Sequence, residues 1–441
     1  MSSLEIGFTG FAALLALLAV RIPIGVAMLV VGMTGYYMIA GHTALLSYLK
    51  GLMYWTFTSD TLSVVPMFIL MGQFAAKAGL SKALFAAANA WLGHHRGGVA
   101  MAAIGGCAGF GSIAGSSLAT AATMGQVALP ELKRFNYSGA LATGTLAAGG
   151  TLGILSPPAI VVIIYAVLVE ANVVTLFQAA LIPGILAAVG YILAIAIVVR
   201  FDPKAGPAGA KATSKERWQA LFEVWPVLLI FALVMGGIYL GFFTPTEGAG
   251  IGSLGMFLIA ITRGGMRQQG FIDAILGTAS TTALIFLIVL GAAVFNAFLG
   301  FSQLPFFAVE FFEKSGMPPM SVLLAMVVLY ILLGFIMDSL SMILLTVPIF
   351  WPIIAGMDFG MDAEDTKLWF GIISLIVVEV GLITPPVGLN VFVINSLAKD
   401  VPMIDTFKGV LPFLASDAIR VALIIALPAI TLILPKLLAI E

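Results

Sequence analysis

Two hydroxyl-rich segments recur at matching places in this sequence. Gly115-Ser116-Ser117-Leu118-Ala119, followed by Pro130, overlays Met337-Asp338-Ser339-Leu340-Ser341, followed by Pro352, with the same Ser-to-Pro spacing. Downstream of each comes a second match, Gly153-Ile154-Leu155-Ser156-Pro157-Pro158 against Gly381-Leu382-Ile383-Thr384-Pro385-Pro386. A proline pair inside an apolar helix removes two amide donors and frees upstream carbonyls, so the break must line a polar cavity or be packed in protein. Freed carbonyls from Gly150 through Gly153 to Ser156 and from Gly381 to Thr384, with the hydroxyls of Ser116, Ser117, Thr120, Ser339 and Ser341, are hard oxygen ligands suited to a small cation such as Na⁺. Helix N-termini at the same segments offer amide hydrogens and a positive dipole end, suited to a carboxylate. An organic anion can be held between such dipoles and bound cations.

Single residues carry bland alternatives beside these roles. Asp338 is the only acid at such a segment; it ligates the cation or caps the helix that follows. Glu247, in Thr244-Pro245-Thr246-Glu247, stands in a helix-start signal and reads as a cap at an outer turn. Glu379 lies in an apolar run just before the second proline pair, and is divided between structural pairing and transport. Asn390 reaches into the cavity, the preferred reading, or bonds to a neighbouring helix. Small hydroxyls are common wherever membrane helices pack closely, so only their recurrence in both halves favours function. Gly105, Gly106, Gly109, Gly111 and Gly115 read as packing residues, because no Gly-Lys-Ser/Thr phosphate loop is present.

The elements that must position these groups are membrane helices. The chain has 441 residues, 61% hydrophobic and 9% charged, against roughly a quarter charged in a soluble domain. A net charge of −1 without a basic cluster argues against nucleic-acid partners. Cys107, the single cysteine, allows no internal disulfide, and three histidines make a multi-ligand metal cage a poor reading. Ten crossings are expected over residues 6–20, 24–40, 62–78, 140–169, 173–199, 224–243, 248–261, 279–299, 368–397 and 412–434. Stretches 97–132 and 318–354 are too long for one span and break midway, so each reads as a re-entrant hairpin. Segments 80–92 and 303–313 are amphipathic arms, either levers between rigid bodies or plain interfacial helices. The first run reads as a retained span, because Glu5 precedes it where a signal peptide has a basic cluster.

Positive charge sets the expected orientation. With the N-terminus outside, the inside collects most Lys and Arg, and the outside keeps Lys50, Lys314, Lys367 and Lys436. Both termini are then periplasmic, and the hairpins enter from opposite faces. The repeat is inverted, and discontinuous segments at matching positions of inverted halves point to a transporter's binding site. The expected fold is an all-α polytopic membrane protein with two re-entrant hairpins and two discontinuous helices. Its order is scaffold and first arm (1–96), first transport element with hairpin 97–132, broken helix 140–169 and a following span (97–201), cytoplasmic linker (202–217), scaffold and arm (218–317), second transport element with hairpin 318–354 and broken helix 368–397 (318–397), and a C-terminal span (398–441).

On the repeated segments above, with Gly149-Gly150-Thr151-Leu152, Thr244-Pro245-Thr246-Glu247-Gly248 and Val387-Gly388, the chain resembles the large membrane subunit of tripartite ATP-independent periplasmic (TRAP) transporters over nearly its whole length. The resemblance implies an elevator-type, Na⁺-coupled importer of organic acids such as C4-dicarboxylates in the bacterial inner membrane, with no cofactor beyond the coupling ion. It implies two partners, a small four-helix membrane subunit and a soluble periplasmic substrate-binding protein. Because the chain starts almost at its first span, the small subunit is expected to be a separate polypeptide. Sodium roles carried over by resemblance pair the first hairpin tip with the second broken segment and the second tip with the first, and fall on Ser116, Ser117, Gly150, Asp338, Ser339, Gly381 and Thr384. No Arg lies within a hairpin tip or proline break, so no side chain for a bidentate carboxylate clamp can be named.

The nearest rival is a stand-alone Na⁺-coupled carboxylate symporter of the same design. An intramembrane enzyme would need an acid paired with Asp338, and none is evident. A channel would need pore loops repeated around an axis, whereas the broken elements here form one two-fold set.

Overall fold

A computed structural model describes residues 2–438. Residues 1 and 439–441, at the ends of the first and last expected segments, lie outside the described residues. Among the described residues the chain forms nineteen helices and no strand. Local sequence sets several helix starts. Capping boxes close Ser3–Ala19 through Ser2 and Glu5, Ser214–Tyr239 through Thr213 and Glu216, and Pro245–Thr262 through Thr244 and Glu247. Each box satisfies amide donors that a helix start leaves open. Glu247 is therefore a cap.

The helices sort into two bodies. In the scaffold, Ile24–Phe57 lies along Gln268–Ser302 as Asp60–Lys77 lies along Pro245–Thr262. Likewise Ser3–Ala19 packs on Ile24–Phe57 as Ser214–Tyr239 packs on Pro245–Thr262. Glycine allows the closest of these approaches: a Cβ on Gly291 would stand 2.4 Å from the Gly25 carbonyl oxygen, and one on Gly32 would stand 2.8 Å from the Phe295 amide nitrogen.

The second body holds the repeated segments. One hairpin runs Gly98–Ala114 and back as Ser117–Arg134; the other runs Pro319–Gly334 and back as Ser339–Ala355. Gly139–Leu155 breaks and resumes as Ile160–Val169 with a bend of 44°. Ala363–Gly381 breaks and resumes as Leu389–Leu397. Each hairpin packs along the broken helix that follows it, and each resumed half packs on the opposite hairpin. Ile160–Val169 thus meets Ser339–Ala355, and Leu389–Leu397 meets Ser117–Arg134. That exchange interlocks the repeats. Val173–Phe201 and Met403–Ala426 flank them, packed on each other and on Gly139–Leu155.

The structure redraws several expected elements. The span expected at 24–40 ends where expected, at a kink on Gly41, whose φ of 84° and ψ of 172° leave helical geometry and whose positive φ is open to glycine and strained for other residues. Beyond the kink the structure adds a helical segment over 42–57. The span expected at 279–299 runs unbroken from Gln268 to Ser302. The span expected at 412–434 is two helices, Met403–Ala426 and Ala429–Leu438, because Pro428 lacks an amide proton and drives Leu427 out of helical geometry, with ψ 76°. The two breaks are unequal, since residues 382–388 separate the second pair of half-helices and only 156–159 the first.

The arms form as Leu80–Leu92, bent 65° from Asp60–Lys77, and Leu304–Ser315. The connector at 202–213 is pinned rather than free. Its Gly206 carbonyl accepts from the Gly97 amide (2.9 Å), its Ala205 carbonyl accepts from Ser138 (2.9 Å), and Gly209 donates to the Gly93 carbonyl (2.8 Å).

Candidate functional site at the hairpin tips

The two tips are built alike. Ser116 sits in extended backbone and its hydroxyl accepts from the Ala119 amide at 3.5 Å, capping Ser117–Arg134. At the equivalent position Asp338 is extended and accepts from the Ser341 amide at 3.3 Å and from the Ser341 hydroxyl, capping Ser339–Ala355. The capping role considered for Asp338 is thus present in the structure.

Matched glycines bring each tip against a break. A Cβ on Gly111 would fall 2.6 Å from Gly153 Cα, and one on Gly334 would fall 2.6 Å from Gly381 Cα. The backbones touch there because neither glycine carries a side chain. Around the first contact, Gly153 faces the Thr120 hydroxyl and the Ser116 carbonyl, and Gly150 faces the Ser117 carbonyl and the Asn390 amide nitrogen. Asn390 is fully buried and donates to the Ala147 carbonyl at 3.3 Å, so it ties the second broken helix to the first. The Thr120 hydroxyl and Asn390 Oδ1 are buried without a hydrogen-bond partner among the described residues.

Around the second contact the organising group is Glu379, which is fully buried. Its Oε1 accepts from the Ser339 hydroxyl at 2.6 Å. The Ser117 hydroxyl of the other tip approaches the same carboxylate without a hydrogen bond to it, and Glu379 Oε2 is buried with no hydrogen-bond partner among the described residues. Glu379 therefore stands where the two tips meet. A carboxylate this deep is costly without partners, which makes its position a strong constraint on both hairpins.

The remaining residues named from sequence sit apart from this junction. Ser156 is the half-buried cap at the end of Gly139–Leu155. The Thr384 hydroxyl is taken up by the Val380 carbonyl at 2.6 Å. Between the two bodies lies a cavity of about 320 Å³, with Thr56, Ser59 and Asn296 on the scaffold side and Ile164, Val167 and Leu344 on the other. None of the serines and threonines named at the tips lines it.

This architecture has known counterparts. The family model described as "Tripartite ATP-independent periplasmic transporter, DctM component" matches residues 11–430. The chain belongs to that family. It is 34% identical over 377 residues to the C4-dicarboxylate TRAP transporter large permease protein DctM of Pseudomonas aeruginosa, covering 85% of this chain and 86% of that one. To the sialic acid TRAP transporter large permease protein SiaM of Vibrio cholerae it is 30% identical over 424 residues, covering 96% and 97%. Its fold matches the crystal structure of the Alcanivorax borkumensis YdaH transporter, with a TM-score of 0.65 and 15% identity over 88% of this chain and 89% of that one. As a TRAP large permease it is a multi-pass inner-membrane transporter subunit and not an enzyme. Permeases of this family work with a small membrane subunit and a periplasmic binding protein.

One buried network of this permease escapes motif reading. Arg420 Nη2 donates to Asp417 Oδ1 at 2.7 Å, and both side chains are buried. The Tyr191 hydroxyl donates to Asp417 Oδ2 at 2.8 Å and lies 3.0 Å from the Thr151 hydroxyl. Thr151 follows Gly150 directly, so the network ends beside the first break. Its sequence signal is Asp417-x-x-Arg420, opposite charges one helical turn apart inside an apolar run.

Proposed function

We propose that this large permease imports a small organic acid, of carboxylate or C4-dicarboxylate type, driven by Na⁺. It would take the solute from a periplasmic binding protein while docked to a separate small membrane subunit. The observation that carries the reading is the pair of equivalent hairpin tips, each packed on a broken helix and both meeting at Glu379. Substrates named for two relatives, C4-dicarboxylate and sialic acid, support an acid as solute.

Chemistry at the tips supports a division of labour. Asp338 places a carboxylate at the start of its helix and offsets that positive dipole end, so the second tip favours a cation. Ser116 is a neutral cap, so the amide end of its helix stays open to the solute's carboxylate while the carbonyls and hydroxyls beside Gly150 and Gly153 face a cation. The oxygens of Thr120 and Asn390, buried without protein partners beside Gly150 and Gly153, are of the kind Na⁺ takes. Because the glycine contacts bring each hairpin against the break of its own half, in place of the crossed pairing the resemblance implies, we assign one Na⁺ to Ser117, Gly150, Gly153 and Ser156 and another to Asp338, Ser339, Gly381 and Thr384. Ser116, Ser117, Thr120, Ser339, Ser341 and Asn390 would face the solute once the tips part. The interlocked body of hairpins and broken helices would move as one against the scaffold, with both termini in the periplasm.

Uptake of radiolabelled organic acids into proteoliposomes tests this reading. It requires an inward Na⁺ gradient, the small subunit and the binding protein together. Uptake by this chain alone would replace it with a stand-alone symporter.

A further inference from the structure

We propose that the junction of the first arm, the connector and helix Ser214–Tyr239 binds the phosphate of an anionic phospholipid, held by Arg217 and His94 with the acyl chain along one face of that helix. Arg217 stacks over the Trp91 ring at 5.6 Å, yet its Nε and Nη2 are buried with no hydrogen-bond partner among the described residues. His94 Nδ1 is in the same condition. Buried donors of this kind call for an acceptor, and a guanidinium fork matches a phosphate.

Charge at the junction is one-sided. Burial of the ring, and then the neighbouring His95, Arg217 and Lys211, push the His94 imidazole below its ordinary value. Glu216, the nearest acid in sequence, closes on its own cap: Oε2 accepts from the Thr213 amide at 2.7 Å and from its hydroxyl at 2.9 Å. Among the described residues Arg217, Lys211 and Lys215 form no ion pair.

Free phosphate would satisfy that charge, but the surface below it favours a lipid. Trp218, Phe222, Trp225 and Leu229 recur at helical spacing and are 55%, 65%, 47% and 51% exposed. They form an apolar track running from the basic cluster into the membrane. Trp91 and Trp218 meet edge to face at 6.4 Å at its head, the level where tryptophan marks the headgroup region. The site also ties the connector to the arm, because the Gly209 amide donates to the Gly93 carbonyl at the end of the arm.

The test uses the full chain in detergent with phosphatidylglycerol, phosphatidylcholine or inorganic phosphate added, read by lipid retention in native mass spectrometry and by thermal midpoint. Phosphatidylglycerol is retained in preference to phosphatidylcholine, and Arg217→Gln weakens that retention about fivefold, the weight of one basic group at a membrane surface. Lys50→Gln, at an exposed lysine of Ile24–Phe57 outside this junction, leaves it unchanged. Should Arg217→Gln fail to fold, Arg217→Lys, which keeps the charge and loses the fork, and Lys211→Gln supply the same comparison, each with reduced retention. Retention unchanged across these variants, no preference for the anionic lipid, or equal stabilisation by inorganic phosphate would overturn the proposal.

Discussion

Ser339 on the second hairpin donates its hydroxyl at 2.6 Å to Glu379 on the helix that breaks at the second proline pair. Ser117 of the first tip approaches the same carboxylate, whose Oε2 is buried with no hydrogen-bond partner among the described residues. Ser339→Ala removes the one hydrogen bond that Oε1 receives, at a cost of about 1–3 kcal/mol for a buried group left unpaired. A lower unfolding midpoint of the purified protein is the readout. Because Ser117 and Ser339 both neighbour Glu379, the double variant departs from the sum of the singles by more than about 0.5 kcal/mol. Additive effects would mean that the tips are not joined through Glu379.

Glycine contacts make a steric prediction. In Gly153→Ala the new methyl would stand 2.6 Å from the Thr120 hydroxyl and 2.7 Å from the Ser116 carbonyl. The backbone must shift, and overpacking of this kind costs about 1–3 kcal/mol. Gly250→Ala serves as the comparison, since nothing lies within 4 Å of its Cβ in the middle of Pro245–Thr262. It should be neutral or stabilising by about 0.4–1 kcal/mol. Equal thermal midpoints for the two variants would show that the tip is not closed against the break.

Much of this architecture was legible in the sequence because lipid enforces it. Hairpin turns at Gly115 and Asp338 and the ends of helix at Leu155 and Gly381 follow from small, polar and proline residues inside long apolar runs. Helix lengths were harder to read. The second helical segment, which follows the kink at Gly41 and reaches Phe57, was not read, and Gln268–Ser302 begins in a polar stretch that hydropathy discounts. The site was legible as a set of segments and not as a set of contacts. Spacing along the chain says nothing of Glu379 meeting both tips, nor of Asn390 reaching Ala147 across 243 positions.

Arg420 shows the limit from another side, since orientation by charge concerns loops and this arginine lies inside a helix. Its pair with Asp417 is buried and extends through Tyr191 to Thr151. Removing one partner leaves an uncompensated charge, at a cost of about 3–5 kcal/mol, whereas removing both costs less. Arg420→Gln should therefore lower the unfolding midpoint more than Asp417→Asn/Arg420→Gln does. The reverse order would mean that the two charges are compensated separately.

Asp338 separates capping from cation binding in one substitution. It caps Ser339–Ala355 through the Ser341 amide, and Asn is as good a cap as Asp. Asp338→Asn should thus leave the unfolding midpoint nearly unchanged while removing the charge that Asp338 carries on the second tip. If that charge holds Na⁺, the Na⁺ concentration for half-maximal uptake rises about tenfold or more, as loss of a charged ligand worth about 1.5–3 kcal/mol requires. Asp338→Ala loses both roles and should lower the midpoint as well, by about 1 kcal/mol. Uptake by Asp338→Asn with an unshifted Na⁺ dependence would confine the residue to its cap, and the cation at the second tip would then rest on Ser339, Thr384 and backbone carbonyls alone.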